Sequence, residues 1–503
     1  MSVRRIMGAE IEYGIATPGR LEPDASLAPA QVVNAHRAAT AGPSGRTGWD
    51  FEQENPLRDA RGFDLARAAA DPTLLTDDGH EPANFTLPNG GRLYVDHAHP
   101  EYATPECVDP LSVVVWDKAG ERIMAEAAER AADLPGGAGI QLYKNNTDNK
   151  GATYGAHENY LVQRSTPFVE IARGLIPFLV SRQVVCGAGR VGIGIEGREQ
   201  GFQISQRADF FEAEVGLETT LRRPIVNTRD EPHANPDTYR RLHVIIGDAN
   251  MSEVSTFLKF GTTALVLSMI EDGALSGDLA LDAPLTELRA VSHDPTLRHL
   301  VTLRDGRRMT ALELQGHYLE QARAYVQDRY GPDAATTDVL SRWESVLVRL
   351  AEDSMQLSRE LDWVAKLHLL EGYRSRDGLN WDAPPLQLLD LQYHDVRPSR
   401  GLYNRLVARD RMVRLTDDDA VTRAVDEAPE DTRAYFRGRC VRQFAGSVTV
   451  ASWSSVVFDI PTRDSLTRLP TLEPLRGTRA HVGELMDRCT TAADLVRALT
   501  GSG

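Results

Sequence analysis

The chain has 503 residues, of which 42% are hydrophobic and 25% charged, and its formal net charge is −16. This length exceeds one ordinary hydrophobic core, so we expect a large domain with a smaller one attached. The negative charge disfavours nonspecific binding to nucleic acid or to an anionic membrane. Four scattered cysteines, no apolar stretch of membrane-spanning length and no apolar signal core favour a cytoplasmic protein without a disulfide framework or a zinc site.

Two segments in the N-terminal hundred residues alternate between polar and apolar side chains, as β-strands do. The first places Glu10 and Glu12 on one face, and the second places Tyr94 and Asp96 on one face. Between them, from about residue 39 to 82, the sequence shows no regular pattern and is rich in Gly, Pro, Asp and Arg. So long an irregular stretch inside a compact domain is either disordered or functional.

The rest of the chain carries further strand and helix patterns. Strands are predicted over residues 157–162, 201–207 and 240–246, with a strand-like run over 447–458. Helices are predicted over residues 110–133, 167–185, 251–270, 311–330, 337–352, 360–372 and 491–499. The charged, proline-containing stretch 416–432 predicts a linker. The expected domains are therefore residues 1–430, with the insertion at 39–82, and residues 431–503.

The polar faces of these strands together concentrate carboxylates, imidazoles and arginines rather than the Lys, Thr and Ser of an ordinary solvated face. They carry Glu10, Glu12, Tyr94, Asp96, His157, Asn159, Gln203, Ser205, Arg207, Arg241 and His243. Taken singly, an acidic pair on a strand is more often solvated, and a histidine is more often structural. Together they indicate a metal-nucleotide site, because carboxylate and phenol oxygens suit Mg²⁺ and arginines hold phosphate oxygens.

Several segments closely resemble the Pup ligase/depupylase family of the glutamine-synthetase-like carboxylate-amine ligases, and the resemblance extends over essentially the whole chain. They include Gly8 to Gly14, Leu93 to Tyr102, Tyr143 to Asn146, Gly155 to Tyr160, Arg223 to His233 and Arg241 to Asn250. Two features resemble the deamidase and depupylase members rather than the ligases. These are the long insertion before Gly91 and the short spacing between Asp96 and Glu101.

The resemblance implies an α+β fold, in which a curved antiparallel β-sheet packs against helices and a small C-terminal domain follows. By position, it implies magnesium ligands at Glu10, Tyr94, Glu101, His157 and His243, to which Glu12 is added because it shares the face of Glu10. It implies nucleotide contacts at Ala103, Thr104, Asn159 and Trp453. It also implies that Asp96 is the catalytic aspartate and that Arg207 lies near the phosphates and the reacting carbonyl.

The activity implied is hydrolysis at the side-chain carbonyl of the C-terminal residue of Pup, with ATP, or ADP plus phosphate, and Mg²⁺ as bound cofactors. The enzyme would remove Pup from lysines of pupylated proteins, in connection with the bacterial proteasome, and would deamidate a C-terminal glutamine. Asp96 would act either as general base or as nucleophile. Two alternatives are a ligase that forms the same bond with consumption of ATP, and a nonenzymatic Pup-binding regulator.

Docking of an acidic Pup tail on an acidic protein requires a local basic groove. The sequence offers Lys144, Arg222, Arg223, Arg229 and Arg240 as candidates. The insertion at 39–82 contains aromatic and charged residues that are unusual for a plain spacer. We therefore expect a mobile loop that modulates access to the site or the state of the nucleotide.

Overall fold

The structure is a computed structural model that describes residues 3–17, 27–40, 47–70, 83–134, 139–329, 331, 333–461 and 463–501. The strands in these ranges are β1 (Met7–Glu12), β2 (Gly14–Ala16), β3 (Gly48–Trp49), β4 (Arg58–Asp59), β5 (Phe63–Asp64), β6 (Asn84–Thr86), β7 (Arg92–Asp96), β8 (His99–Ala103), β9 (Gln141–Tyr143), β10 (Ala156–Gln163), β11 (Arg190–Ile193), β12 (Glu199–Gln203), β13 (Phe211–Gly216), β14 (Arg223–Asn227), β15 (Tyr239–Val244), β16 (Leu300–Thr302), β17 (Arg308–Thr310), β18 (Val448–Ala451), β19 (Ser455–Phe458) and β20 (Thr467–Pro470).

The helices follow the predicted patterns and add several short ones. They are α1 (Leu27–Thr40), α2 (Pro110–Ala132), α3 (Phe168–Cys186), α4 (Glu253–Glu271), α5 (Pro284–His293), α6 (Ala311–Arg329), α7 (Ala334–Asp353), α8 (Asp362–Asp377), α9 (Pro384–Tyr393), α10 (Leu402–Val407), α11 (Asp418–Asp426), α12 (Ala434–Gln443), α13 (Arg479–Arg488) and α14 (Ala492–Thr500). The predicted long helices are confirmed. Their ends follow local chemistry: Asp109 accepts a hydrogen bond from Ser112 N at the start of α2, and Thr310 with Glu313 forms a capping box before α6.

One large sheet organises the molecule, with the strand order β15-β10-β1-β8-β7-β6-β3-β18-β19-β20. Neighbouring strands are antiparallel except β3 and β18, which are parallel. The predicted sheet packed against helices is thus confirmed, with one parallel pair. Its apolar face, which includes Ala9 and Ile11 of β1, belongs to the main hydrophobic core together with residues of α2, α3 and α4.

Two strand predictions differ from the structure. β8 is not predicted from the pattern, because Pro100 lies within it and proline is disfavoured inside sheets. The prediction of a strand over 201–207 in the acidic sheet is wrong. β12 ends at Gln203 and pairs with β11 in a separate two-stranded sheet, while Arg207 immediately precedes the 3₁₀ helix Ala208–Phe210.

The helix α4 is long and apolar enough to cross a membrane by length and composition alone. However, 94% of its most apolar window is buried inside the protein. The buried Leu258 and Leu265 of this helix belong to the main hydrophobic core. It therefore occupies the position of a core helix.

The C-terminal segment has its own apolar cluster, which includes Phe436, Phe458 and Val496. Its strands β18–β20 nevertheless extend the large sheet, and the domain division at residue 430 stays a prediction. The linker prediction for 416–432 is wrong where α11 forms. The apolar side chains Val421 and Ala424 of this helix are buried against α2, which explains why a charged segment is ordered here.

Candidate functional site

The register of five adjacent strands, β15, β10, β1, β8 and β7, brings the predicted acidic face together. The cross-strand pairs are His243 opposite Asn159, His157 opposite Glu10, Glu12 opposite Glu101, and Glu101 opposite Tyr94. Because side chains alternate along each strand, residues two apart share this face. The sheet thus collects carboxylates, imidazoles and a phenol on one surface.

A first cluster contains Glu10, His157 and His243, each of which offers a ligand atom within 4.8 Å of the others. Asn159 supports it, since its Nδ2 donates to Glu10 Oε1 at 2.9 Å and its Oδ1 lies 2.9 Å from His243 Nδ1. Burial and the Arg241 charge lower the pKa of His243 well below its ordinary value. The imidazole is therefore neutral at pH 7, the form that binds a metal ion.

A second cluster contains Glu12, Asp96 and Glu101, whose carboxylate oxygens also lie within 4.8 Å of one another. The Tyr94 hydroxyl donates to Glu101 Oε1 at 2.5 Å, whereas Glu101 Oε2 is buried without a hydrogen-bond partner among the described residues. Burial and the charges of Asp96 and Glu12 raise the pKa of Glu101 well above its ordinary value. Buried acids of this kind fit a hard divalent cation such as Mg²⁺, which would relieve their repulsion.

Asp96 ends β7, immediately before the turn to β8. His97 Nδ1 lies 2.9 Å from Asp96 Oδ1, and His97 adopts a positive φ of 51° that forms the tight turn. Burial alone would raise the pKa of Asp96, but the hydrogen bond and charge of His97, with the charge of His157, lower it below its ordinary value. The Asp96 carboxylate is thus ionised at neutral pH.

Two adjoining pockets lie along this face. The first, of about 520 Å³, is lined by all four predicted nucleotide contacts, Ala103, Thr104, Asn159 and Trp453, and by Ile6, Tyr160, Arg241 and Arg433. The second, of about 830 Å³, is lined by Glu10, Tyr94, Asp96, Glu101, His157 and His243, and by Arg92, Arg229 and Glu231. Glu10, His233, Arg241 and Trp453 line both pockets. A mostly apolar pocket therefore opens directly onto the acidic clusters.

Residues 5–457 match the model of the Pup-ligase protein family. The chain belongs to the Pup-ligase family. It is 68% identical over 501 residues to a depupylase of Acidothermus cellulolyticus, which covers 99% of this chain and 100% of that protein. It is 56% identical over 500 residues to a Pup deamidase/depupylase of Mycolicibacterium smegmatis, which covers 99% of this chain and 100% of that protein.

Solved structures of the same family share the fold. The complex of the prokaryotic ubiquitin-like protein Pup with its ligase PafA matches at a TM-score of 0.78 with 34% identity, over 99% of this chain and 94% of that chain. The Pup ligase PafA in complex with ADP matches at a TM-score of 0.73 with 37% identity, over 84% of this chain and 95% of that chain. The glutamine-synthetase-like sheet expected from the resemblance is thus the fold of the family.

Arg207 is a predicted site residue that the structure buries, close enough to Glu12 of the second cluster for the two charges to interact. It is 1% exposed, its Nη1 donates to Ile245 O, and it is absent from the described linings of both pockets. Burial, with the like charge of Arg223, lowers its pKa to about 9, while Glu12 acts in the opposite direction. Its predicted role near the reacting carbonyl therefore stays a prediction.

The predicted basic groove is wrong at two positions. Lys144 is fully buried, with its Nζ donating to Asp117 and Glu121, and Arg240 is buried, with its Nη1 donating to Thr166 O. A charged residue in a polar stretch suggests a surface position, but paired charges can be buried. Of the other predicted groove residues, Arg229 lines the second pocket, called the acidic pocket below.

Several residues of the site are not predicted by the sequence patterns. Arg92 could have been found, because it precedes Tyr94 by two residues on β7 and so shares its face. Its guanidinium carbon lies 3.9 Å from the Tyr94 ring centroid and 4.1 Å from that of Trp49. Glu54 and Arg433 come from segments distant along the chain, where nothing local marks a site residue.

Proposed function

We propose that this protein is a depupylase that also deamidates the C-terminal glutamine of Pup, with ATP, or ADP plus phosphate, and Mg²⁺ as bound cofactors. The observation that carries the proposal is the intact cluster of Glu12, Asp96 and Glu101, in a chain alike from end to end to proteins named depupylase and Pup deamidase/depupylase. The ligases named among its relatives match at lower identity, 44% over 80% of this chain in one from Nakamurella multipartita.

Mg²⁺ would be held by the two acidic clusters: Glu10 with His157 and His243, and Glu12 with Glu101, beside the Tyr94 hydroxyl. When bound, the cation would polarise a carbonyl or phosphoryl oxygen and neutralise the acids around it. The nucleotide would occupy the adjoining pocket, which is lined by Ala103 of β8 and by Thr104 directly after it, and where Trp453 offers an aromatic surface to a base. Arg241, which lines both pockets, is suited to phosphate oxygens.

Asp96 would carry the reaction as an ionised carboxylate, by one of two routes. As a base, it takes a proton from water, whose oxygen attacks the side-chain carbonyl while the amine leaves with a proton. As a nucleophile, its oxygen attacks the carbonyl, the amine leaves with a proton, and water opens the resulting anhydride. After a single turnover in ¹⁸O-labelled water, label in Asp96 indicates the anhydride route, because the base route places label only in Pup.

The function is tested by incubating the full chain with a pupylated protein, and separately with Pup ending in glutamine, in Mg²⁺ and either ATP or ADP plus phosphate. We expect release of free Pup and unmodified protein, and conversion of glutamine to glutamate, without stoichiometric formation of ADP. New conjugates formed with one ADP each would instead identify a ligase. Unchanged substrates in every mixture would contradict an enzymatic role and favour a Pup-binding regulator.

The insertion at 39–82 would modulate access to this site. Residues 41–46 and 71–82 lie outside the described part of the chain, but Phe51 and Glu54 line the acidic pocket. Asn55 N donates to Glu231 Oε1 at 2.6 Å, which attaches the insertion to another residue of the same pocket. If deletion of residues 43–78 changes neither turnover nor nucleotide dependence, this role is wrong.

The cytoplasmic location and the connection with the bacterial proteasome follow from the proposed substrates. They are tested together by locating the protein in cell fractions, and by asking whether its deletion prolongs the pupylated state of proteasome substrates.

A further inference from the structure

A buried carboxylate joins β8 to the C-terminal segment beside the nucleotide pocket. Glu106, three residues after β8, is 9% exposed and lines the nucleotide pocket itself. Its Oε1 accepts hydrogen bonds from Arg433 Nε at 2.6 Å and from Arg437 Nη1 at 3.2 Å, and its Oε2 accepts from Arg437 Nη2. Burial would raise the pKa of Glu106, but the Arg437 and Arg433 charges outweigh it and lower the pKa to about 2. The group is therefore a fixed anion at neutral pH.

The two arginines connect this anion to other residues of the pocket wall. Arg437 Nη1 donates to the backbone oxygen of Trp453 at 3.1 Å, and its guanidinium carbon lies 4.9 Å from the Trp453 ring centroid. Its Nη2 also donates to Gly90 O at 2.7 Å. Arg433 lines the nucleotide pocket itself, and its Nη1 donates to Thr471 O at 2.8 Å. One carboxylate thus fixes the position of a pocket residue and of the tryptophan beside it.

Close packing holds α12, the helix of Arg437, in one place. A Cβ at Gly438 would lie 2.4 Å from Pro88 O, and a Cβ at Gly90 would lie 2.9 Å from Ala434 O. Gly90 also has a positive φ of 79°, which glycine adopts without strain. The helix therefore packs directly against the turn between β6 and β7. This packing leaves Arg437 little freedom to form a different ion pair.

We propose that Glu106 and Arg437 are positioning residues for the nucleotide, acting through Arg433 and Trp453. The inference rests on the proposed use of a nucleotide cofactor. Ala103 and Thr104 form one wall of the pocket and belong to β8 or follow it directly, whereas Trp453 belongs to the C-terminal segment. The Glu106 fork is the ionic connection that sets the spacing of these walls. Without it, both walls remain but the distance between them is no longer fixed.

The test uses Glu106→Gln and Arg437→Lys in the full chain. We expect the Kd for Mg·ADP, measured by calorimetry, and the KM for ATP to rise by about tenfold or more. Glu106→Gln removes the anion shared by two buried arginines, and Arg437→Lys cannot form the two-atom contact with Glu106. The kcat at saturating nucleotide should change little, because neither residue lines the pocket of Asp96. Glu106→Asp, which keeps the charge, should recover part of the affinity.

Glu360→Gln is the matched control, because Glu360 accepts a similar two-pronged fork from Arg349, at 2.5 and 2.9 Å, away from both pockets. It should lower the thermal unfolding temperature without changing the Kd for Mg·ADP. The inference is overturned if Arg437→Lys and Glu106→Gln bind Mg·ADP as tightly as the parent chain, whatever their unfolding temperatures. A parent chain that binds no Mg·ADP would overturn the proposed function first, so the two failures are distinct.

Discussion

The site has an acidic wall, formed by the two clusters around Glu10 and Glu101, and a nucleotide wall, formed by the lining of the adjoining pocket. These two walls are built in different ways. The acidic wall comes from side chains that face each other across regularly paired strands, so the register of β1 with β10 and β8 sets most of its geometry. The nucleotide wall combines segments far apart in sequence, and its parts are held by side chains such as Glu106 and Arg437. Regular backbone pairing positions the first wall, and specific side-chain contacts position the second.

The walls also differ in electrostatic balance. Glu12, Asp96 and Glu101 place three acids together, so their mutual repulsion destabilises the acidic wall, and a bound cation would relieve it. In the nucleotide wall, Glu106 already has two arginine partners. Substitutions should therefore act on chemistry and metal affinity in one wall, and on nucleotide affinity in the other.

Asp96→Asn should have the largest effect. The amide keeps the shape of the side chain but is neither a base nor a nucleophile, so depupylation should fall by about 10²- to 10⁴-fold. The Kd for Mg·ADP should stay close to that of the parent chain, because Asp96 is absent from the described lining of the nucleotide pocket. Asp305→Asn, at an exposed turn, is the control. An active Asp96→Asn enzyme would contradict the assignment of this residue.

Glu101→Gln should weaken metal binding, since it replaces a charged oxygen at the centre of the second cluster. The Mg²⁺ concentration that gives half-maximal depupylation should rise by at least about tenfold. An unchanged magnesium requirement would remove Glu101 from the ligand set. Comparison with Glu106→Gln, which should act on nucleotide instead of metal, tests whether the two walls are functionally separate.

Trp453→Ala should act mainly on nucleotide affinity, although Trp453 also lines the pocket of Asp96. Loss of an aromatic surface against a base costs about 1–3 kcal/mol, so the KM for ATP should rise by about tenfold while kcat at saturation is kept. Trp381→Ala, which removes an aromatic ring that contacts Phe202 outside both pockets, is the control. A fall in kcat with unchanged KM would show that Trp453 serves the acidic wall.

The smallest predicted effect is on stability without metal. Because the pKa of Glu101 is raised in the folded protein, this acid costs stability above its unfolded pKa, and the cost shrinks as pH falls towards that value. In EDTA, Glu101→Gln should therefore be more stable than the parent chain at pH 8, by on the order of 1 kcal/mol. Denaturant unfolding at pH 8 and pH 5 measures the difference, and a gain that grows towards pH 5 would refute this explanation.

The sequence predicts the acidic wall better than the nucleotide wall for a physical reason. Strict alternation around Glu10 and Tyr94 places their side chains on one face, because the side-chain period of a strand is two. The same argument fails for Arg207, because a short alternating run predicts a strand but not the sheet to which the strand belongs. Arg433 and Glu106 are brought together only by tertiary packing, so no periodic pattern in the sequence predicts their contact.

The helices show the same difference between features with a local cause and features that depend on tertiary packing. The capping box at Thr310 and Glu313 is local, and the helix prediction that begins there, over 311–330, is confirmed. The order of α11 depends on burial of Val421 and Ala424 against α2, a contact between distant parts of the chain. Its charged sequence therefore predicted a linker where a packed helix forms.

The parallel pairing of β3 with β18 has a consequence for folding. Beside this pair, Thr47 Oγ1 donates to Val448 O across 401 residues of chain. Contacts of such sequence separation form slowly, and N-terminal segments are synthesised first. A growing chain that has reached residue 430 already contains every acidic residue of the first wall but lacks Trp453 and Arg433. We therefore expect nucleotide binding to appear last during biosynthesis, so that it reports completion of the chain.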